Sequence, residues 1–90
     1  MARDKNNNPT VRARLNASDG RVRQLISPTA LSAARKAAGH RTQAELAAAV
    51  GCSRGFIGHL ESGTRTNVAA VLAAAIEEAC QVSPGGLFTP

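Results

Sequence analysis

The sequence has few aromatic residues and contains no long hydrophobic run. Phe56 and Phe88 are the two aromatic residues among 90, and neither tryptophan nor tyrosine occurs. Proteins that bind single-stranded nucleic acid stack bases on several aromatic side chains, so this composition excludes a binding protein of that kind. No stretch approaches the roughly 18 apolar residues that a membrane span requires. The polar start of the chain predicts no secretory signal, and we expect an intracellular protein.

The sequence is also poor in cysteine. Cys52 and Cys80 are 28 positions apart and form no Cys-x-x-Cys pair. A zinc site with four ligands would need His40 and His59 as well, in no known spacing. We therefore expect no metal site and no disulfide, and we interpret both thiols as small buried hydrophobic groups.

Arrangements of residues that carry catalysis are missing too. The sequence shows no nucleophile–base couple, no paired carboxylates and no phosphate-binding glycine loop. The 64 residues from 27 to 90 leave little room for a substrate pocket. We expect neither an enzyme nor a bound cofactor nor a small-molecule substrate.

Positive charge is abundant and unevenly distributed. Lys and Arg number 11 against 6 Asp and Glu, a formal net charge of +5. Residues 1–26 carry six cations and two acids, whereas residues 67–90 carry two acids and no Lys or Arg. A basic surface of this kind predicts a polyanionic partner at the front and middle of the chain.

The pattern from residue 27 onward predicts an all-α domain of five helices over 27–90. Each predicted helix follows a residue that caps helices, and glycines mark several of the ends. Thr42-Gln-Ala-Glu45 has the form of a capping box. The predicted caps are Ser27, Thr42 and Ser53, the longest helix is predicted to start at Asn67, and a final turn is predicted to begin at Ser83. The predicted core residues are Leu46, Val50, Ile57, Leu60, Leu72 and Ile76.

Residues 1–26 form a basic N-terminal extension, which we expect to be disordered over 1–9. Val11–Leu15 and Arg21–Leu25 alternate in part and flank a turn sequence, so a β-hairpin is the first interpretation. A flexible basic arm and a short helix are the alternatives.

The middle of the chain has the pattern of a helix-turn-helix unit over about 43–61. A first short helix (43–50) is followed by the turn Gly51-Cys52-Ser53 and by a second helix over about 53–61. In such a unit the second helix lies in the major groove of DNA, with its N-terminal residues against base edges.

The segment from Thr42 to Gly63, TQAELAAAVGCSRGFIGHLESG, resembles the helix-turn-helix of the phage lambda repressor and Cro family, also called the XRE family. The resemblance extends over about Leu31–Phe88. It implies a five-helix lambda-repressor-like domain that binds an operator in double-stranded DNA, in the bacterial nucleoid or the cytoplasm of an infected cell. Members usually bind as two-fold dimers, so a homodimer is also implied.

The resemblance also implies roles for individual residues. Bases would be contacted by Arg54, Gly55, Phe56, His59 and Gln43. Phosphates would be contacted by Thr42, Gln43, Ser53, Arg41, Ser62, Thr64 and Arg65. From the charge of the extension we add DNA contacts of Arg12, Arg14, Arg21 and Arg23, and Arg35 and Glu61 would form a structural ion pair. For the DNA-contacting side chains, a solvated residue that touches no DNA is the alternative.

Some residues depart from the family pattern. Gly39-His-Arg-Thr-Gln43 is one residue longer than the usual link, and Asn67 replaces a common proline. Gly55 and Gly58 lie inside the recognition helix and offer no side chain for reading bases. Phe56 stands where a polar residue is usual, so it would meet a thymine methyl or pack under the N-terminal segment. These differences favour phosphate contacts and close approach of the backbone.

The expected function is sequence-specific binding of duplex DNA by a transcriptional regulator, most simply a phage or prophage repressor or Cro-like protein. An antitoxin-like module that binds another protein is one alternative, since a basic extension suits that role as well. An architectural recombination factor that bends DNA is the other.

Overall fold

Residues 21–89, the part of the chain that the computed structural model describes, form four helices and three short strands. The helices are α1 (Pro28–Ala37), α2 (Gln43–Val50), α3 (Arg54–Ser62) and α4 (Ala70–Ala79), and the strands are β1 (Val22–Leu25), β2 (Asn67–Ala69) and β3 (Phe88–Thr89). Within these residues, no helix has the length and hydrophobicity needed to cross a bilayer.

The first three helices begin at the hydroxyl residues that the sequence predicts as caps. Ser27, Thr42 and Ser53 each accept the backbone N–H of the residue three positions further on, at 3.1 Å. Glu45 also bonds backwards, but its Oε1 accepts the N–H of Arg41, at 2.5 Å, one residue before the cap. The local sequence therefore determines where these helices start.

The helices enclose one hydrophobic core. α2 packs against α3 and α4, and α1 packs against α3. The predicted core residues lie in it, with Leu72 half-buried at its edge. The buried hydrophobic residues are Leu25, Leu31, Leu46, Ala47, Val50, Ile57, Leu60, Val68, Ala73, Ala75, Ile76, Cys80, Leu87 and Phe88.

A small antiparallel sheet joins the two ends of the described chain. β1 is the central strand, with β2 on one side and β3 on the other. Val22 pairs with Ala69, and Leu25 pairs with Phe88. The all-α prediction is thus incomplete, because the domain is mostly helical but also contains this sheet.

Strand β1 changes the interpretation of the N-terminal extension. The second run of the predicted hairpin, Arg21–Leu25, does contain a strand, but its partners in the structure are β2 and β3. The first run, Val11–Leu15, lies outside the described residues. Since β1 precedes residue 27, the sheet links residues on both sides of the predicted domain boundary.

The predicted start of the last long helix at Asn67 is wrong by three residues. Residues 67–69 form β2, and α4 begins at Ala70 without a side-chain cap. Val68 is 1% exposed and pairs with Arg23, so its side chain is buried by sheet packing. A periodic apolar pattern does not distinguish a short buried strand from the first turn of a helix.

The predicted fifth helical turn at Ser83 is not found, because a turn and strand β3 occupy this part of the described chain. Glu77 on α4 explains the difference. Its Oε2 accepts the backbone N–H groups of Gly85, Leu87 and Phe88 at 3.0–3.1 Å. These donors are satisfied by a buried carboxylate from another element, so the segment needs no helical hydrogen bonds.

Candidate nucleic-acid interface

The N-terminal end of α3 is open to solvent. Ser53, Arg54 and Gly55 are exposed, and one turn further His59 is exposed as well. On the opposite face of the helix Ile57 has no exposed surface. α3 is therefore anchored by one side and presents the other, together with its leading end, to solvent.

The turn before α3 is closed by backbone hydrogen bonds. Gly51 adopts φ +93°, the left-handed region that glycine enters without a Cβ penalty. The N–H groups of Gly51 and Cys52 both donate to the carbonyl of Ala47, at 2.7 and 3.0 Å. α2 therefore holds the start of α3 through a short connection.

Neither cysteine has the chemistry of a reactive thiol. Burial raises the pKa of Cys52 to about 11. Burial likewise raises the pKa of Cys80 to about 11, and the nearby carboxylate of Glu61 adds to the effect. Both side chains are therefore neutral at physiological pH, and neither is activated as a thiolate nucleophile.

Arg35 and Glu61 form a buried bidentate ion pair between α1 and α3. The Nε–Oε2 distance is 2.7 Å and the Nη2–Oε1 distance is 3.3 Å, with side-chain exposures of 6% and 7%. Arg35 Nη1 also donates to the carbonyl of His40 at 2.9 Å. The pair therefore fixes α3 and the loop before α2 to the same helix.

Gln43 is turned towards α3. Its Nε2 donates to Oε1 of Glu61 at 3.1 Å, and a Cβ on Gly58 would lie 3.1 Å from its Oε1. The missing side chain at Gly58 thus leaves space for Gln43 to pass along α3 and reach Glu61. In the structure this predicted DNA-contacting amide bonds to the buried ion pair, and the side chain is only half exposed.

Gly55 has no such neighbour. A Cβ at this position would meet nothing within 4 Å in the described structure. The absence of a side chain here is not required by packing within the protein, so the open surface at Gly55 is available for close approach by a partner.

Phe56 and Arg65 contact each other on the flank of α3. The guanidinium carbon of Arg65 lies 5.1 Å from the centroid of the Phe56 ring, within the range of a cation–π interaction. Phe56 is half-buried and packs against the core. Neither the contact nor the role of Gln43 is signalled by sequence spacing.

The remaining candidate residues are distributed around α3. Thr42 and Arg41 are exposed before α2. Ser62, the last residue of α3, and Thr64 are also exposed, and their hydroxyl oxygens are 2.8 Å apart. Arg21 is exposed, whereas Arg23 is half-buried in β1. Arg12 and Arg14 lie outside the described residues.

Comparison with known proteins gives one match: a family model described as helix-turn-helix matches residues 31–87, more than half of the chain. No curated protein and no solved structure matches the chain.

Proposed function

Since the chain belongs to the XRE-type helix-turn-helix family of DNA-binding regulators, we propose that it controls transcription by occupying a specific operator in duplex DNA, as a phage or prophage repressor or a Cro-like protein. One observation carries the proposal: the leading end of α3 is exposed while the opposite face of the helix is fully buried. A helix held in this way can enter the major groove without rearrangement of the domain.

Arg54 is the proposed principal reader of bases. It is the first residue of α3 and is exposed. A cation at a helix N-terminus opposes the helix dipole, so a local stabilising role does not account for it. Its guanidinium matches O6 and N7 of guanine and would contribute about 1–3 kcal/mol of discrimination.

The other proposed contacts surround this residue. His59 faces the groove one turn along α3, and Gly55 allows the helix backbone to approach the DNA closely. The hydroxyls of Thr42, Ser53, Ser62 and Thr64 and the side chain of Arg41 bond phosphates. The N-terminal arginines add contacts beside the groove, and a two-fold dimer would place two α3 helices on successive half-sites about one helical turn apart.

The proposal is tested by selecting bound fragments from a random pool of duplex DNA. An enriched palindrome supports an operator bound by a two-fold dimer, and a single enriched half-site supports a monomer. No enrichment would contradict sequence-specific binding and favour the alternative of a protein-binding module.

Variants of Arg54 then test the assignment of the reading residue. We expect Arg54→Ala to weaken binding to the selected site by about 10- to 100-fold and to relax the preference at one base pair. Arg54→Lys, which keeps the charge but loses the bidentate fork, should relax the same position. Equal losses on the selected site and on random duplex would show that Arg54 contacts only phosphate.

A further inference from the structure

Arg65 is held in one place by three contacts after the end of α3. Its backbone N–H donates to the carbonyl of His59 at 3.1 Å, and its Nε donates to the carbonyl of Asn67 at 3.0 Å. Its guanidinium lies over the ring of Phe56, one turn nearer the N-terminus of α3 than His59. The side chain thus runs back along the recognition helix instead of extending into solvent.

The contacts leave the outer donors of the guanidinium available. Neither Nη nitrogen of Arg65 has a hydrogen-bond partner among residues 21–89, and the residue as a whole is exposed. Stacking on a ring uses the face of the guanidinium, whereas hydrogen bonds to an anion use its in-plane N–H groups. The two interactions are compatible in one geometry.

On the basis of the proposed function, we infer that Phe56 and the carbonyl of Asn67 preorganise Arg65 as a clamp for a phosphate of duplex DNA beside α3. Phe56 is then a positioning residue that acts through Arg65 and does not read a thymine methyl. A fixed arginine loses less conformational entropy on binding than a mobile one, so the ring increases affinity without touching DNA. A phosphate is present at every step of a duplex, so the effect is independent of base sequence.

The inference is tested with a double-mutant cycle in the full chain, using a duplex of random sequence as the probe. The variants are Phe56→Leu, Arg65→Ala and the double variant, and affinity is measured as a function of salt concentration. Phe56→Leu keeps an apolar side chain against the core and removes the ring. Phe56→Tyr keeps the ring and serves as the matched control, and thermal melts verify that each variant is folded.

We expect Arg65→Ala to weaken binding by about tenfold and to reduce the slope of log affinity against log salt by about 0.9, the value for one phosphate contact. Phe56→Leu should weaken binding about two- to fivefold when Arg65 is present and not at all when Arg65 is alanine. Phe56→Tyr, which keeps a ring against the guanidinium, should restore most of the affinity that Phe56→Leu loses.

Two results would overturn the inference alone. If Phe56→Leu costs the same factor with and without Arg65, the ring acts by another route. If Arg65→Ala leaves the salt slope unchanged, Arg65 does not contact phosphate. Failure of the unchanged protein to bind any duplex would remove the proposed function as well, so the two failures are distinguished by the parent protein itself.

Discussion

Glu61 connects three helices through its carboxylate. Its carboxylate accepts two hydrogen bonds from Arg35 and one from Gln43, and so joins α1, α2 and α3. The sequence pattern predicts the contact with Arg35, since both residues match family positions. The contact with Gln43 depends on how α2 crosses α3 and has no signature along the chain.

Glu61→Ala should therefore destabilise the domain severely. The change leaves the guanidinium of Arg35, which is 5% exposed, without its carboxylate, and breaking a buried pair from one side costs about 3–5 kcal/mol. Chemical denaturation measures the loss. Lys36→Ala, which removes an exposed side chain from α1, is the control and should cost much less. Equal unfolding midpoints for Glu61→Ala and the parent protein would argue against a buried pair.

A substitution at Gly55 is expected to change the stability of the domain and its affinity for DNA in opposite directions. A glycine within a helix costs up to about 1 kcal/mol relative to alanine, and at Gly55 no neighbouring atom explains its presence. Gly58 differs, because a Cβ there would meet Oε1 of Gln43 at 3.1 Å.

We expect Gly55→Ala to raise the melting temperature and to weaken binding to the selected DNA site, because the added methyl group lies between the helix backbone and the groove. Gly58→Ala should raise the melting temperature less, since Gln43 must move. Melting curves and binding isotherms of the two variants test both expectations. A Gly55→Ala protein that binds as tightly as the parent would show that the duplex does not approach this position closely.

Among the elements, α2 and α3 are determined mainly by their own sequence, whereas the segment after α4 depends on another element. The caps and the turn at Gly51 are local features that can be identified along the chain. The segment after α4 has no comparable local feature, because Glu77 supplies the acceptor for its N–H groups from α4. We therefore regard Glu77 as the residue that decides between a helical turn and strand β3.

The substitution Glu77→Ala should weaken the attachment of strand β3 to the rest of the domain. It leaves the buried N–H groups of Leu87 and Phe88 without an acceptor, at a cost of about 1–3 kcal/mol each, whereas the N–H of the exposed Gly85 can bond to water. We expect the variant to be less stable than the parent protein. Amide hydrogen exchange at Leu87 and Phe88 should become faster than in the parent, and the increase should be smaller at Ile57 in the core of the helix-turn-helix unit. Lys36→Ala, at an exposed position on α1, serves as the control. Unchanged exchange at Leu87 would show that β3 is held without the carboxylate.

At the scale of the whole molecule, the sheet and the charge distribution connect the N-terminal extension to the domain. β1 lies between β2 and β3, so residues 22–25 are part of the folded body. A deletion of residues 1–26 would remove this central strand. Weaker DNA binding could then result either from unfolding or from the loss of positive charge. Substitutions before residue 21 leave the sequence of strand β1 unchanged.

The pair of substitutions Arg12→Ala and Arg14→Ala tests whether the extension binds DNA. If both arginines contact phosphates, the slope of log affinity against log salt should fall by about 1.8, and a thermal melt verifies that the double variant is folded. Lys36→Ala, which removes an exposed cation from α1, is the control and should leave the slope unchanged. An unchanged slope in the double variant would place the two arginines away from the DNA.

Prediction from sequence succeeds where the residues that determine an element lie within that element. It fails where a second element, distant in the chain, supplies the determining contact. The capping residues predict the starts of α1, α2 and α3, and the family match confirms the helix-turn-helix. The start of α4 is predicted wrongly because the apolar residues before it are buried by sheet pairing with β1. The assigned DNA contacts remain predictions, since they depend on a partner.

The amino-acid sequence by itself determined the helix-turn-helix and the face of α3 that is buried, because caps, glycines and apolar spacing act within a few residues of each other. Only the tertiary structure decided that residues 22–25 join strands about 45 and 64 positions away in the chain. It also decided that Phe56 meets Arg65 and that Glu77 binds the C-terminal segment. The physical reason is that such contacts depend on how the elements cross in space, a geometry that no local pattern encodes.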